Sequence, residues 1–309
     1  MKQSSRIYAF GETVFEIVYS SAHQLAAHPG GSSLNAAVSL SRLQAPVSFI
    51  SEWGEDKLGE KIQQRLQTEN LNTGYTYRYK DGRTPLSIAF LDEEKEASYS
   101  FYRAMPEQRF QVEIPGFQPS DYLLFGSYFA VDPAIRKQVS AIIDEAYQKE
   151  ATLLYDPNIR KPHARQLNQI LPSVRSNLSK ASLVRGSAED FRLLFKLNKG
   201  QDTYDYLRKM GVDYLIYTNH LGPVECFTPA FSFQTPVQAV EPLSTIGAGD
   251  NFNAGVLYYM YQHAIGKARL PELTQDIWEE MIQSGIRIAA ASCLRYENYV
   301  GRGFYERIR

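Results

Sequence analysis

Three observations predict an α/β fold with a mostly parallel sheet. Short β-rich runs alternate with helical periodicity along most of the 309 residues, as βαβ units do. Two glycine turns, Gly30-Gly31 and Gly247 to Gly249, each precede a helical pattern. Between Tyr75 and Arg103 the alternation breaks into three strand-like runs, "YTYRYK", "PLSIAFLD" and "ASYSFYR", parted only by turn signals such as Asp81-Gly82. These predict a small antiparallel sheet outside the main one.

Taken in order, "RIYAF" is a strand, Leu34 to Leu43 a helix, "PVSFI" a strand, and Leu58, Ile62 and Leu66 mark a second helix. "ETVFEIVYS" alternates and is assigned to the small sheet. "DYLLFGSYF" leads to a helix carrying Ile135, Val139, Ile142, Ile143 and Ala146, and "ATLLYD", "ASLVRG" and "DYLIYT" continue the core. With no repeat, low-complexity tract or Pro/Gly-rich linker, residues 1–309 are expected to form one domain. The small sheet, from about residues 12–20 and 75–103, is an inserted appendage: either a surface decoration or dimer edge, or a lid that excludes water from a site.

The 33 basic and 34 acidic residues give a formal charge of −1. That provides no global field for nucleic acid or an anionic membrane, and a small ligand held by local charges is expected instead. Cys226 and Cys293 lack metal or redox spacing and suggest no disulfide framework, so a reducing cytoplasm is the expected location. "MKQSSRIYAFGE" has no apolar core of signal-peptide length, and no later run approaches a membrane span.

From "LSTIGAGDNFNAG" onward, Phe252, Val256, Tyr259 and Met260 recur at helical spacing, so the glycine turn opens a helix. The first amides of a helix lack intrahelical acceptors, and glycines let an anion approach them. Asp250 is then either an ordinary helix-start acid or a general base beside an anion hole formed by Gly247, Ala248 and Gly249. "HPGGSSLNAAVSLSRL" likewise sets Gly30-Gly31 before a helix, with Asn35 in its first turns able to donate and accept. It is either a plain turn or a close approach to a polyhydroxylated ligand.

Together, "PGGSSLNAAVSLSRL" followed by "SFISEWGEDKLGEKI", and later "STIGAGDNFNAG", resemble the two signatures of the ribokinase-like (PfkB) sugar kinases. "YDPNIR" resembles a segment of fructokinase-like and 2-keto-3-deoxygluconate kinase-like members. The resemblance covers nearly the whole chain. It implies a three-layer core with a mostly parallel central sheet and a small β-sheet lid, a sugar between core and lid, and ATP across the C-terminal half. It implies Asp250 as the base, Gly247, Ala248 and Gly249 as the anion hole, and Glu16, Gly31, Asn35, Arg103 and Arg160 on the sugar side. Arg185, Glu189 and Thr218 fall to the nucleotide side, with Mg²⁺ reached from Glu189 through water. Arg103 and Arg160 also read as solvated or ion-paired arginines, and Glu189 as a helix-start acid. A homodimer through the lid is implied by the resemblance alone.

Four positions depart from the family pattern. Glu16 stands for an Asp, "TNHLG" with His220 for the nucleotide-loop T-x-G-x-x-G, Ser244 for the Asp that opens the second signature, and Ile246 for its second Thr. Strong dependence on a monovalent cation is therefore not expected. The expected function is ATP-dependent phosphorylation of a small sugar, a fructose-like ketose or hexose, at a primary hydroxyl. The alternatives are a sugar-acid kinase of the 2-keto-3-deoxygluconate type and a family member that binds sugar or nucleotide without turnover.

Overall fold

A computed structural model describes residues 5–20, 23–93, 97–220, 222–237 and 240–308. Residues 1–4, residues 94–96 of the expected lid, and Leu221 of "TNHLG" lie outside the described residues. The elements begin with β1 (Ile7–Phe10), β2 (Val14–Ser20), β3 (His23–Gly30), α1 (Ser32–Arg42), β4 (Val47–Gly54), α2 (Lys57–Thr68) and β5 (Asn72–Tyr79). There follow β6 (Arg83–Leu91), β7 (Ala97–Ala104), β8 (Tyr122–Gly126), α3 (Arg136–Gln148), β9 (Thr152–Asp156), α4 (Leu167–Leu178) and β10 (Leu183–Ser187). The remainder is α5 (Ala188–Phe195), α6 (Gly200–Arg208), β11 (Leu215–Thr218), β12 (Val224–Phe227), β13 (Ser232–Thr235), α7 (Ala248–Gln262), α8 (Gln275–Cys293) and α9 (Phe304–Ile308).

The chain packs as two compact units. The first holds residues 6–113, 239–261 and 284–309. Its β4 pairs in parallel with β1 and β5. All eight β4 residues are buried, which is why "VSFISEWG" shows no clean alternation. A separate four-stranded sheet runs in the order β3-β2-β6-β7. There β2–β3 and β6–β7 are antiparallel and β2–β6 is parallel. The second unit holds residues 114–238 and 262–283 together with Ser5. Its β8, β9, β10 and β11 pair in parallel, and β12 and β13 add antiparallel strands.

The expected α/β class with a mostly parallel sheet and a smaller second sheet is what forms. Two strands differ from expectation. "YTYRYK" was assigned to the small sheet, but β5 pairs in parallel with β4, as Ser51↔Thr76 and Trp53↔Arg78 show. Alternation looks the same on either sheet, and the α2 crossover decides the parallel pairing. The small sheet instead takes β3, "HQLAAHPG", a run without β-branched residues whose strand state comes from pairing with β2 rather than propensity.

The small sheet has two distinct faces. Val18, Ala89 and Leu91 are buried on the inner face with Ile246, joined by Leu25, Ala26, Ala97, Tyr99 and Tyr296. Thus Ile246, a departure from the family pattern, serves as the apolar contact that seats the glycine turn against this sheet. On the outer face Phe15, Leu86 and Tyr102 line up across three strands, as do Tyr19, Phe90 and Ser98. Phe90 and Tyr102 there are 45% and 57% exposed.

The C-terminal segment is tied to the first unit by a buried charge cluster. Glu69 accepts from Arg42 at 2.7 Å, from Arg302 at 3.1 Å and from Arg65 at 3.2 Å. Arg42 also donates to Val300 O at 2.7 Å, and its guanidinium lies 4.8 Å from the centre of the Tyr299 ring. Burial alone would raise the Glu69 pKa, but the Arg42 hydrogen bond and charge and the neighbouring Arg65 and Arg302 outweigh it and bring it down to about 2. A carboxyl whose folded pKa is depressed stabilises the fold above its unfolded pKa and loses that contribution as pH falls through the folded value. Glu69→Ala should therefore cost on the order of 3–5 kcal/mol at neutral pH by leaving Arg42 buried and unpaired. The gap to wild type should narrow in urea melts taken from about pH 5 towards pH 2; a gap that is constant over that range would rule this role out.

Candidate active site

Asp250 stands in the first turn of α7 and is only 5% exposed. Gly247, just before the helix, has φ +79°, and a Cβ there would lie 2.7 Å from Asn298 O, so the position takes glycine. The turn is closed by Ala248 N–H to Thr245 O at 3.2 Å and by Asn251 N–H to Gly247 O at 2.9 Å. The Ala248 amide is thus used inside the turn. The amides of Gly249 and Asp250 are the remaining first-turn donors that can face an anion.

Both oxygens of Asp250 are held from the other glycine motif. Ser32 Oγ donates to Oδ1 at 2.6 Å and Asn35 Nδ2 donates to Oδ2 at 2.9 Å. These two residues are three apart in the first turn of α1, so their side chains share one face. Gly31 sets that helix start at φ +120°, where a Cβ would meet Glu12 O at 2.4 Å. The positive ends of two helices therefore flank one carboxylate, which suits negative charge. A carboxylate has about four acceptor positions, so each oxygen keeps capacity for a further donor such as a substrate hydroxyl.

Next to this pair the inner face of the small sheet presents Glu16, in register with His28 and Ser87 on its neighbours. Asn298 Nδ2 donates to Glu16 Oε1 at 2.5 Å, and His28 Nε2 lies 2.8 Å from Tyr296 O. Asn35 Oδ1, Asn298 Oδ1 and Ser87 Oγ are buried without a hydrogen-bond partner among the described residues. Buried polar atoms left so are costly, and a polyhydroxylated ligand offers the donors they lack. Arg103 is engaged locally: its Nη2 donates to Glu12 Oε2 at 2.7 Å.

Ser244 is 1% exposed. Its hydroxyl accepts the Ile246 N–H at 3.2 Å, and its own N–H reaches Cys293 O at 3.3 Å. It braces the approach to the glycine turn by direct protein contacts.

Arg160, Arg185, Glu189 and Thr218 belong to the second unit. Asp156, Ser187 and Thr218 end the parallel strands β9, β10 and β11, and the carboxyl ends of such strands are where ligands of open α/β sheets bind. Arg185 is 9% exposed. Its Nη1 donates to Asp156 Oδ2 at 2.9 Å and its Nη2 to Thr218 Oγ1 at 2.8 Å. Asp190 forms a capping box with Ser187 and also accepts the Ile159 N–H at 2.9 Å, which pins the "DPNIR" loop. Glu189 is exposed and 3.3 Å from Lys161, and Arg160 is exposed.

Ser32, Glu12, Asp156 and Asn298 were not singled out from sequence. The signal for Ser32 was present, since it stands i−3 to Asn35 on a helix already identified. Asn298 lies 282 positions from its partner Glu16, and no local pattern could have joined them. Cys226 and Cys293 are free and buried, and burial pushes both thiols up from their ordinary pKa.

The pfkB family carbohydrate kinase model matches residues 5–299, and the chain belongs to that family as an ATP-dependent phosphotransferase acting on the alcohol group of a sugar. It is 25% identical over 262 residues to a fructokinase of Vibrio alginolyticus, covering 84% of this chain and 85% of that protein. It is 24% identical over 261 residues to an aminoimidazole riboside kinase of Salmonella typhimurium, covering 84% and 82%. In fold it matches the fructokinase of Vibrio cholerae solved with fructose, ADP and calcium ion, with TM-score 0.83, 23% identity and coverage of 96% and 94%. Among the described residues no helix is long and apolar enough to cross a membrane.

Removing the Ser32 hydroxyl takes away one hydrogen bond to a charged group, typically about 1.5–3 kcal/mol. Ser32→Ala should lower kcat/KM by roughly 10–100-fold while changing the thermal midpoint little. A loss below about twofold in steady-state assays would show that Asn35 alone suffices to orient Asp250.

Proposed function

We propose that the enzyme phosphorylates a neutral ketose, fructose or a close analogue, at a primary hydroxyl. The observation that carries this reading is the Asp250 carboxylate, gripped by Ser32 and Asn35 and adjoining a sheet face that offers Glu16 and unmet polar atoms. Asp250 takes the proton of the attacking hydroxyl, and the glycine turn receives the phosphoryl group on the amides of Gly249 and Asp250. Glu16, Gly31 and Asn35 contact the sugar, and the small sheet acts as a lid that excludes water. The Arg103–Glu12 pair supports a neutral substrate, because the charge a sugar acid would need is already balanced.

Arg185, Thr218 and Glu189 serve the nucleotide. Among the described residues no three His, Cys, Asp or Glu side chains converge as a metal cage. Mg²⁺ commonly keeps several waters and takes one or two carboxylates plus phosphate oxygens, so Glu189 acting through water fits that ion, which would neutralise charge on the transferred phosphoryl group. The cytoplasm is the proposed location. A homodimer through the outer face of the small sheet is proposed on its apolar rows; Phe90→Lys should convert a sedimenting dimer to monomer, and a wild type that sediments as a monomer would remove the idea.

ADP release measured over fructose, glucose, 2-keto-3-deoxygluconate and aminoimidazole riboside tests the reading. Fructose should give the highest kcat/KM, and Asp250→Asn should cut kcat by about 10²–10⁴-fold with sugar affinity little changed. No turnover with any of the four would favour a binding-only role, and a variant retaining a third of wild-type kcat would reject Asp250 as base.

Ser244 supports independence from monovalent cations. Its hydroxyl is spent on the Ile246 amide and adds no charge for a hard cation. Activity in K⁺, Na⁺ or a bulky organic cation at fixed ionic strength should agree within a few-fold; stimulation by K⁺ of about tenfold, roughly 1.4 kcal/mol at the transition state, would contradict this.

A further inference from the structure

Asn251, the residue after the proposed base, is fully buried. Its Nδ2 donates to two carbonyl oxygens, Gly247 O at 2.7 Å and Asn298 O at 2.7 Å. Its Oδ1 accepts from the hydroxyl of Ser39, which in turn accepts the Val300 N–H at 3.2 Å. Asn298 extends the line: held at φ +62° and 0% exposed, it donates from Nδ2 to Glu16 Oε1 at 2.5 Å. A continuous chain of hydrogen bonds therefore runs from the Glu16 carboxylate, through Asn298 and Asn251, to the Gly247 carbonyl.

Position in the chain gives these amides leverage. The Gly247 carbonyl is gripped twice by Asn251, by the backbone N–H at 2.9 Å and by the side chain. That carbonyl shares a rigid peptide plane with the Ala248 amide, so holding it sets how the chain enters α7 and where the next amides point. Solvent is excluded throughout, and inside a low-dielectric network a broken bond leaves a buried polar atom with no substitute partner. A ligand that draws on Glu16 shares that carboxylate with Asn298, and any shift of Asn298 reaches Asn251 through Asn298 O.

We propose that Asn251 and Asn298 are positioning residues that couple occupancy of the Glu16 carboxylate to the setting of the glycine turn. The inference rests on the reading above, in which Glu16 meets the sugar and the turn meets the phosphoryl group. It adds a route by which binding of one substrate prepares the site for the other.

Asn298→Gly is the variant of choice: φ +62° suits glycine, the Asn298 carbonyl stays for Asn251, and the side chain goes with its bond to Glu16 and its unmet Oδ1. Asn251→Ser removes both side-chain bonds to the carbonyls. Fructose affinity is measured by calorimetry on the full-length protein with and without ADP, alongside steady-state kinetics. In wild type ADP should change the fructose Kd by about fivefold or more, a common size for coupling between sites, and Asn298→Gly should bring that factor near one. Asn251→Ser should lower kcat about tenfold with fructose Kd within about twofold. In a cycle of Glu16→Ala with Asn298→Gly, the double variant should lose clearly less than the product of the two single losses, because the two changes cut the same link.

Multiplicative losses in that cycle, or an ADP factor that survives in Asn298→Gly, would overturn the coupling while leaving the kinase reading intact. If Asn251→Ser does not fold, the cycle and the ADP factor decide by themselves. Absence of turnover by wild type with every sugar tested would overturn both.

Discussion

A single carboxylate gripped from two directions organises the first unit. Asp250 comes from the start of α7, and its two oxygens are taken by Ser32 and Asn35 from the start of α1. Those helices are more than 200 positions apart in the chain. Bringing their N-termini to one acid requires close backbone approach at Gly31 and Gly247, where a Cβ would collide with carbonyl oxygens. A strongly polar, buried side chain is thereby given partners without losing its capacity to accept a proton. The arrangement is costly to build and has little value as packing.

The C-terminal segment keeps this arrangement in place. Tyr296 O meets His28, Asn298 meets Glu16 and Asn251, Val300 meets Ser39 and Arg42, and Arg302 reaches Glu69. Tyr299 is buried within it, and burial together with the neighbouring carboxylates pushes its hydroxyl up to about 12. One stretch of chain thus joins α1, the inner face of the small sheet and the glycine turn. Each contact is a hydrogen bond or ion pair, all but the one from the exposed Arg302 formed largely out of water, so the segment is held by specific geometry rather than by apolar area alone.

In the second unit, polar groups at the carboxyl ends of β9, β10 and β11 bond to one another. Arg185 is shared by Asp156 and Thr218, and Asp190 caps its helix while holding the Ile159 amide. A guanidinium fixed in this way keeps little side-chain freedom. Glu189 and Arg160, by contrast, sit in solvent where their charges are screened.

Much of this was legible in the chain itself. The parallel strands and their helices were marked by alternation between short β-rich runs and helical spacing, and both glycine turns announced the helix starts that carry Asp250 and Asn35. These are local properties, written in neighbouring residues and the backbone freedom of glycine. Tertiary structure alone decided that β5 joins β4 and that β3, with weak propensity, completes the small sheet. It also decided that Ser32 shares Asp250 with Asn35, that Ile246 seats the turn, and that Asn298 links Glu16 to Asn251. Each of those outcomes depends on which distant partner satisfies a buried polar group or covers an apolar face, and periodicity carries no information about a partner hundreds of residues away.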